Sequence, residues 1–414
     1  MNASSSRFHY GWVVLVFGVL VVFGALGLAR FGYTMLLPDM QEGLDIENTR
    51  AGALATSGLI GYLALSVIGG ALASRFGPRI VIAVGLGMAA TGMLLTGLAN
   101  GFAMAAACQV ITGMGSGAAN ISIGGLLAAW FAPHRLGLAS GILVSGSSVG
   151  LIFSGSVAPS ILDWGEDGWR VCWYLFSGIT FLLAIVGYFV LRNRPEEKGL
   201  LTVGSTGSDS AAIGRSQGLQ WGKVYRSSAV WHIGLVYVAF GMSYIIYMTF
   251  FSKQLIAEGG YTDDSAGNLF MIMGGISLFC GLIWGTISDR IGRKYALAGV
   301  YLMHVAAFSL FGLWTETAGF VLAVVLFGLS AWSIPAIMTA ACGDILGPRL
   351  APAALGFITL FFGIGQAIGP SVAGTMADAA DSFLPAYLFA AGIAFFGAIG
   401  ALRLKPSKTV TNSV

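Results

Sequence analysis

GALASRFGPR (residues 70–79) returns as GTISDRIGRK (285–294), 215 positions further along the chain. Each copy sits between two apolar runs and joins small residues to a basic turn. A second block keeps the same offset: WFAPHRLGLASG (130–141) is echoed by DILGPRLAPAALG (344–356), with Pro133 matching Pro348 and Gly141 matching Gly356. Gly150 and Gly365 keep it too. Three blocks at one offset read as a duplicated unit, and whatever surrounds one copy is expected around the other.

What surrounds them is apolar. Of 414 residues, 56% are hydrophobic and 9% charged, whereas soluble domains carry about 25% charged residues. The 61 glycines suit membrane helices, which pack through small side chains. A helix needs about 20 apolar residues to cross a hydrocarbon core about 30 Å thick. On that measure the first half holds spans at about 11–38, 50–73, 79–99, 102–130, 136–162 and 169–191. The second half holds spans at about 229–257, 265–288, 295–314, 317–344, 351–377 and 383–403. The expected fold is an all-α integral membrane protein, twelve transmembrane helices in two pseudo-symmetric six-helix bundles. The expected units are a bundle at 1–191, a polar linker at 192–228 rich in Gly, Ser and charge, a bundle at 229–404 and a tail at 405–414.

Charge sets the orientation. Of 21 Lys and Arg, 17 fall in the N-terminal segment, the even-to-odd loops, the linker or the tail; the exceptions are Arg30, Arg50, Arg170 and Lys253. Thirteen of the 18 acidic residues lie on the opposite side. By the positive-inside rule both termini and the linker are expected in the cytoplasm. Arg7 and the apolar run after it imitate a secretory leader. That run continues past Arg30 to Leu37, however, and the first span is needed to complete the repeat. The net charge of +3 gives no reason to expect nucleic acid. Cys108, Cys172, Cys280 and Cys342 are scattered through apolar segments without metal-ligand spacing and read as packing residues.

GTISDRIGRK resembles the loop signature of the major facilitator superfamily between its eighth and ninth helices, and GALASRFGPR resembles its partner between the second and third. The resemblance covers nearly the whole chain and implies a secondary transporter working by alternating access. The signature reads physically as a latch, in which an acidic residue and basic neighbours engage a nearby helix end and hold a gate shut. The second half supplies Asp289, Arg290, Arg293 and Lys294. The first half supplies Arg75 and Arg79 but has Ser74 at the acidic position, so its latch is expected to be weaker. A tight positive-inside turn is the other reading of the basic residues and glycines; it leaves Asp289 unexplained.

The first span contains one anomaly, Arg30 in GALGLARFGYTMLLPDM (24–40). A guanidinium at the centre of a membrane helix costs about 2.5–3.5 kcal/mol on insertion scales. Arg30 lies about 8 Å beyond the centre of its apolar run. It either snorkels outward or faces a wet cavity with an anionic partner. The resemblance implies that helices 1, 4, 7 and 10 line a central cavity. Arg30, Tyr33, Thr34 and Leu37 share one face of helix 1. Gln109, Gly113, Ser116 and Asn120 make a stripe on helix 4, which is either a site or small-residue glue. Tyr237, Phe240, Tyr244, Tyr247 and Phe251 make an aromatic stripe on helix 7, which is either cavity wall or packing. Trp332 beside Pro335 on helix 10 suggests a bend at a gate, and Gln366 on helix 11 is a further polar candidate. His304 on helix 9 is either a proton carrier or a packed neutral ring.

YGW (10–12), WFAPHRLGLASGILVSGSSVG (130–150) and SDRIGR resemble the monocarboxylate porter and oxalate:formate antiporter branch, and RFGYTMLLPDM resembles helix 1 of a YbfB/YjiJ-like branch. Arg30 falls where many monocarboxylate porters place a functional Lys. The chain departs from those porters at helix 8, where Ser277 and Gly281 replace an Asp and an Arg. It departs from the oxalate:formate type at helix 11, where Phe362 or Gly363 stands in place of a Lys.

The expected function is therefore transport of a small organic anion, monocarboxylate-like, coupled to protons or to exchange. Arg30, Tyr33, Asn120, Tyr244, Tyr247, Trp332 and Gln366 are the candidate substrate residues. The expected protein acts as a monomer in a cell membrane, the bacterial inner membrane, without cofactor or metal. The rival is efflux of drug-like amphipathic compounds, against which helix 5 lacks a Gly-Pro gate motif, since Leu151 follows Gly150. No HExxH, nucleophile elbow or Walker A loop points to an enzyme or an ATP-driven pump.

Overall fold

The computed structural model describes residues 9–205, 224–346 and 350–404. Pro348, residues 206–223 of the linker, the tail and Arg7 lie outside the described residues. The first-half helices are α1 (Tyr10–Leu44), α2 (Asn48–Phe76), α3 (Pro78–Gly97), α4 (Phe102–Trp130), α5 (Pro133–Leu162) and α6 (Gly168–Val190). The second half begins with α7 (Ser228–Ala257), then α8, which is Asp263–Ser277 and Cys280–Ile291 bent by 41° at the break. It continues with α9 (Arg293–Leu313) and α10 (Thr317–Gly328 and Ser333–Leu346), and ends with α11 (Ala351–Ala380) and α12 (Leu384–Leu402). Among the described residues, eleven helices are long and apolar enough to cross a membrane singly, and the bent pair α8 makes twelve. The fold is two six-helix bundles, as the hydropathy and the repeat predict.

The duplicated signature also repeats its backbone. Gly77 closes α2 with φ +84° and ψ 139°, and Gly292 closes α8 with φ +90° and ψ 149°. An L side chain resists that positive φ, so glycine is the residue that lets each helix turn directly into the next. The glycine common to the two motifs is thus a turn requirement, independent of any latch.

Both halves have a terminal side, carrying Tyr10 and Leu402, and a far side opposite. At the far side α2 packs on α11 and α5 on α8, across the two bundles. Gly52 leaves no room for a Cβ against the Pro370 carbonyl, and Gly374 none against that of Asn48. Gly155 and Gly267 face each other's carbonyl oxygens in the same way. Backbones meet here through small residues, the usual substitute for hydrophobic driving force between membrane helices. Towards the terminal side the pairs part: Gly363 still meets Leu63, but Gly70, Gly137, Gly281 and Gly356 have no neighbour among the described residues within 4 Å of where a Cβ would stand. The described residues are closed together at the far side and parted at the terminal side.

The linker begins differently from its composition. Residues 192–205 pack on the first bundle instead of trailing from it. Val203 bridges to Phe131 and is buried against Gly11 and Trp130. Its N–H donates to the Trp130 carbonyl at 2.9 Å, the Ala132 N–H donates to its carbonyl at 3.0 Å, and a His9 ring nitrogen lies 3.0 Å from the Leu201 carbonyl oxygen. Val203 finds room because α1 offers a glycine to receive it, and Leu200 and the buried Pro195 add apolar contact to the same docking.

Candidate functional site

Helix α1 does not run as one regular coil. Tyr10–Val22 and Gly32–Leu44 are α-helical, and Phe23–Phe31 between them is a π-helix. Such widened turns are rare and concentrate at functional sites. The π segment carries Arg30 and is held by two close contacts. Gly27 meets the backbone of Gly150, the repeat glycine of α5, and the Ser116 hydroxyl of α4 donates to the Ala25 carbonyl. Ser116 thereby satisfies a backbone acceptor inside the widened stretch.

Arg30 is half-buried and points between the bundles. Its Nη2 donates to the Tyr244 hydroxyl of α7 at 2.7 Å, and the Gln366 amide of α11 donates to the same oxygen. Its guanidinium carbon lies 5.5 Å from the Phe31 ring centroid, 5.6 Å from that of Tyr62 and 5.8 Å from that of Tyr244. The Asn120 amide donates to the Tyr62 hydroxyl at 2.8 Å. Arg30 Nε is buried with no hydrogen-bond partner, and no carboxylate pairs with Arg30 among the described residues. An unpaired cation in a low-dielectric site is costly, and aromatic faces offset only part of that cost.

A cavity of about 40 Å³ adjoins the guanidinium, lined among others by Arg30, Tyr33, Tyr62, Gln109, Ser116 and Met248. A water needs about 10–15 Å³ by this measure, so the space fits a few waters or the head of one small anion. Gln109 Nε2 is buried there without a partner among the described residues.

The candidates distribute unevenly. Arg30, Tyr244 and Gln366 form one hydrogen-bonded group, with Asn120 joined to it through Tyr62. Tyr33 lines the cavity, but its hydroxyl is committed to the Ala51 carbonyl at 2.7 Å and ties α1 to α2. Trp332 lies behind the site: its ring is 5.4 Å from Phe31 and its Nε1 donates to Ser148 Oγ at 3.0 Å, which is 2.8 Å from Ser277 Oγ. The bend expected at Pro335 falls earlier, at Leu329–Trp332, and Pro335 sits in the first turn of the following helix, where its missing N–H costs nothing. The structure places Tyr247 away from the cavity. It is fully buried among Phe251, Phe308, Phe311, Phe327 and Tyr387 inside the second bundle. His304 is buried between Phe240 and Phe327 in the same interior.

Tyr62, Ile245, Met248 and Thr249 line the cavity and were absent from the sequence candidates. Tyr62 had a signal, an aromatic ring in an otherwise Gly- and Ala-rich helix, but α2 is not among the helices that the resemblance makes cavity-lining.

The latch residues also differ between the halves. Arg293 pairs with Asp289 at 2.5 Å and with Asp344 of α10 at 3.0 Å, and donates to Ser288 Oγ at 2.6 Å. Both acids belong to the same bundle, so this contact braces the second half and crosses no gate. Arg290 is exposed and in no ion pair among the described residues. In the first half Arg79 Nε donates to the Tyr188 carbonyl at 2.5 Å and its guanidinium covers the Tyr188 ring at 4.3 Å. Arg75 rests over Phe76, and the Ser74 hydroxyl turns back to the Ala71 carbonyl.

Comparison with known proteins agrees with this architecture. The chain is 24% identical over 390 residues to the hexuronate transporter of Bacillus subtilis (strain 168), covering 91% of this chain and 90% of the relative. It is 23% identical over 397 residues to monocarboxylate transporter 2 of Mus musculus, covering 92% and 80%. Among solved structures it superposes on the inward open conformation of the xylose transporter XylE from E. coli with a TM-score of 0.77, at 15% identity, covering 97% of this chain and 98% of that one. A bacterial homologue of the human lysosomal transporter Spinster, inward-facing and unoccupied, gives a TM-score of 0.74 at 16% identity, covering 98% and 100%. The family profile of the Major Facilitator Superfamily matches residues 15–349 and again 251–413. These relatives are transporters and not enzymes, and the chain, a multi-pass membrane protein and secondary transporter, belongs to the Major Facilitator Superfamily.

Proposed function

We propose that this transporter carries a small organic anion, monocarboxylate-like, and that Arg30 is the cation that receives it. One observation carries the reading: a half-buried guanidinium between the bundles, with Nε unpartnered and no protein carboxylate beside it among the described residues. A carboxylate entering the adjoining cavity supplies the missing charge and accepts a bidentate pair, the geometry that arginine provides and lysine does not. Tyr62 and Tyr244 bracket the guanidinium, Asn120 and Gln366 hold those two hydroxyls, and Gln109 offers a further donor. Neutralised, the loaded site crosses the low-dielectric centre more easily than the empty one, which suits either proton symport or exchange. The named substrates of the relatives, hexuronate and monocarboxylates, are organic acids and support this class. The positive-inside distribution supports a terminal side in the cytoplasm of a cell, with the far side outside. The repeat supports two functional units, 1–191 and 229–404, acting within one monomer.

The test is thermal stabilisation of the purified protein and of Arg30→Ala by a panel of small carboxylates, with lipophilic cations alongside. A ligand bound only by the native state raises its stability in proportion to the logarithm of its concentration over Kd. Carboxylates that stabilise the parent and not Arg30→Ala support the anion site. Lipophilic cations stabilising both, with carboxylates stabilising neither, overturn it in favour of amphipathic-compound efflux.

A further inference from the structure

We propose that Asp378 is the clasp of the far-side gate, holding the two bundles together by capping a helix of the opposite bundle. Asp378 lies near the far end of α11, and its carboxylate accepts from the backbone N–H of Asn48 at 3.1 Å and of Thr49 at 2.7 Å. These are the first two residues of α2, whose own N-cap, Glu47, makes no side-chain capping bond. Helix N-termini leave their first N–H groups without intrahelical partners, and the aligned peptide dipoles favour a negative charge there. The first bundle thus presents an uncapped, partly positive helix end, and the second bundle supplies the missing cap.

The contact is specific to the closed gate. Gly52 and Gly374 let the two backbones approach at the same level, and one turn or so further in Ser371 donates to Thr56 at 2.9 Å. When α2 and α11 part at the far side, the carboxylate and the α2 amides separate together, so the clasp exists in one state of the cycle and not in the other. A second far-side carboxylate shows the contrast. Glu258 at the end of α7 accepts from the Phe383 N–H at the start of α12 at 2.6 Å, but both belong to the second bundle. Asp378 crosses between bundles and Glu258 does not. The ion pairs of Arg293 stay within one bundle too, so the carboxylate hydrogen-bonded across the two bundles is the one on α11, outside the duplicated signature, while Asp39 and Glu42 of the first bundle act on Lys253 of the second by charge alone.

The experiment reads gate opening and needs no substrate. Ala55 lines the cavity, about 10 Å along α2 from the capped end. Ala55→Cys is expressed in cells and treated with a membrane-impermeant maleimide from the face at which Glu166→Cys, in the exposed far-side α5–α6 loop, labels freely. The four native cysteines are buried, and the parent without either added cysteine sets the background. Asp378→Ala is expected to raise the labelling rate of Ala55→Cys about tenfold, in the range of a lost hydrogen bond to a charged group, with Glu166→Cys unchanged. Asn48→Pro is the second variant. Proline is tolerated at the first helical position, and the extended Glu47 before it (φ −76°, ψ 171°) is compatible with one. It removes a single N–H of the clasp and is expected to raise labelling by a smaller factor. Glu258→Gln is expected to leave the rate where it was. Unchanged labelling of Ala55→Cys in both Asp378→Ala and Asn48→Pro, with Glu166→Cys showing intact protein, overturns the proposal; so does an equal rise with Glu258→Gln, which marks general loosening.

Discussion

The two ends of the α2–α11 pair face different situations with the same kind of residue. At the far end Gly52 and Gly374 press against carbonyls of the other bundle, while at the terminal end Gly70 and Gly356 look into open space. All four glycines sit in apolar, small-residue helix, and nothing in their immediate sequence separates the pair that touches from the pair that does not. Small residues therefore describe a surface that is able to close, and the state of the gate is set by what else is present at that level. At the far end Asp378 and the Ser371–Thr56 bond are present. At the terminal end two of the residues that look like a latch, Asp289 and Arg293, are spent with Asp344 on bracing one bundle.

The contrast breaks most readily by adding volume. Gly374→Val is expected to lower stability by about 1–3 kcal/mol, the usual cost of overpacking a filled interface. Gly356→Val is expected to leave stability within about 0.5 kcal/mol, as for substitutions away from packed features. Thermal melts of the purified variants check both, and equal losses would remove the distinction between a closed and an open end. Arg30 sits where the closed side begins, so the next comparison is between two tyrosines of one helix. Tyr244→Phe removes the oxygen shared by Arg30 and Gln366 and is expected to weaken carboxylate-dependent stabilisation about tenfold in apparent affinity. Tyr247→Phe, three residues on, is expected to leave it unchanged, because that hydroxyl is buried without a partner among the described residues. Smaller effects are expected from the braces. Asp344→Asn is expected to cost up to about 1 kcal/mol, the range of partly exposed ion pairs. Trp332→Phe, which removes only the indole N–H to Ser148, is expected to cost about 0.6 kcal/mol, typical of one hydrogen bond between membrane helices.

Much of this architecture is legible before any coordinates. Apolar run lengths place the spans, and the 215-residue offset announces the duplication. Gly77 and Gly292 are readable as turns because only the local backbone needs them. Arg30 is legible as well, because the membrane makes any lone cation conspicuous. The aromatic stripe on α7 is not resolvable in the same way. Its apolar window is 83% buried, so every face of the helix has a neighbour and periodicity favours none. Tyr244 turns to the site and Tyr247 to the interior although they lie within one turn. Tyr62 was hidden by the opposite problem, an isolated mid-helix ring on a helix given no role. Asp378 reads in sequence as an ordinary acid near a helix end, since the amides that it caps are 330 and 329 positions away.

By itself the sequence determined the helices, their number, their duplication, the turns between them and the presence of one arginine inside an apolar span. Each of these follows from a local cost: hydrocarbon around polar backbone, a positive φ, or a charge out of water. Only the tertiary structure decided which gate is shut, which tyrosine joins Arg30 and what the signature's ion pairs hold. Those are choices between two packings of the same side chains, separated by a few kcal/mol, and they depend on contacts between helices that no single stretch of chain contains.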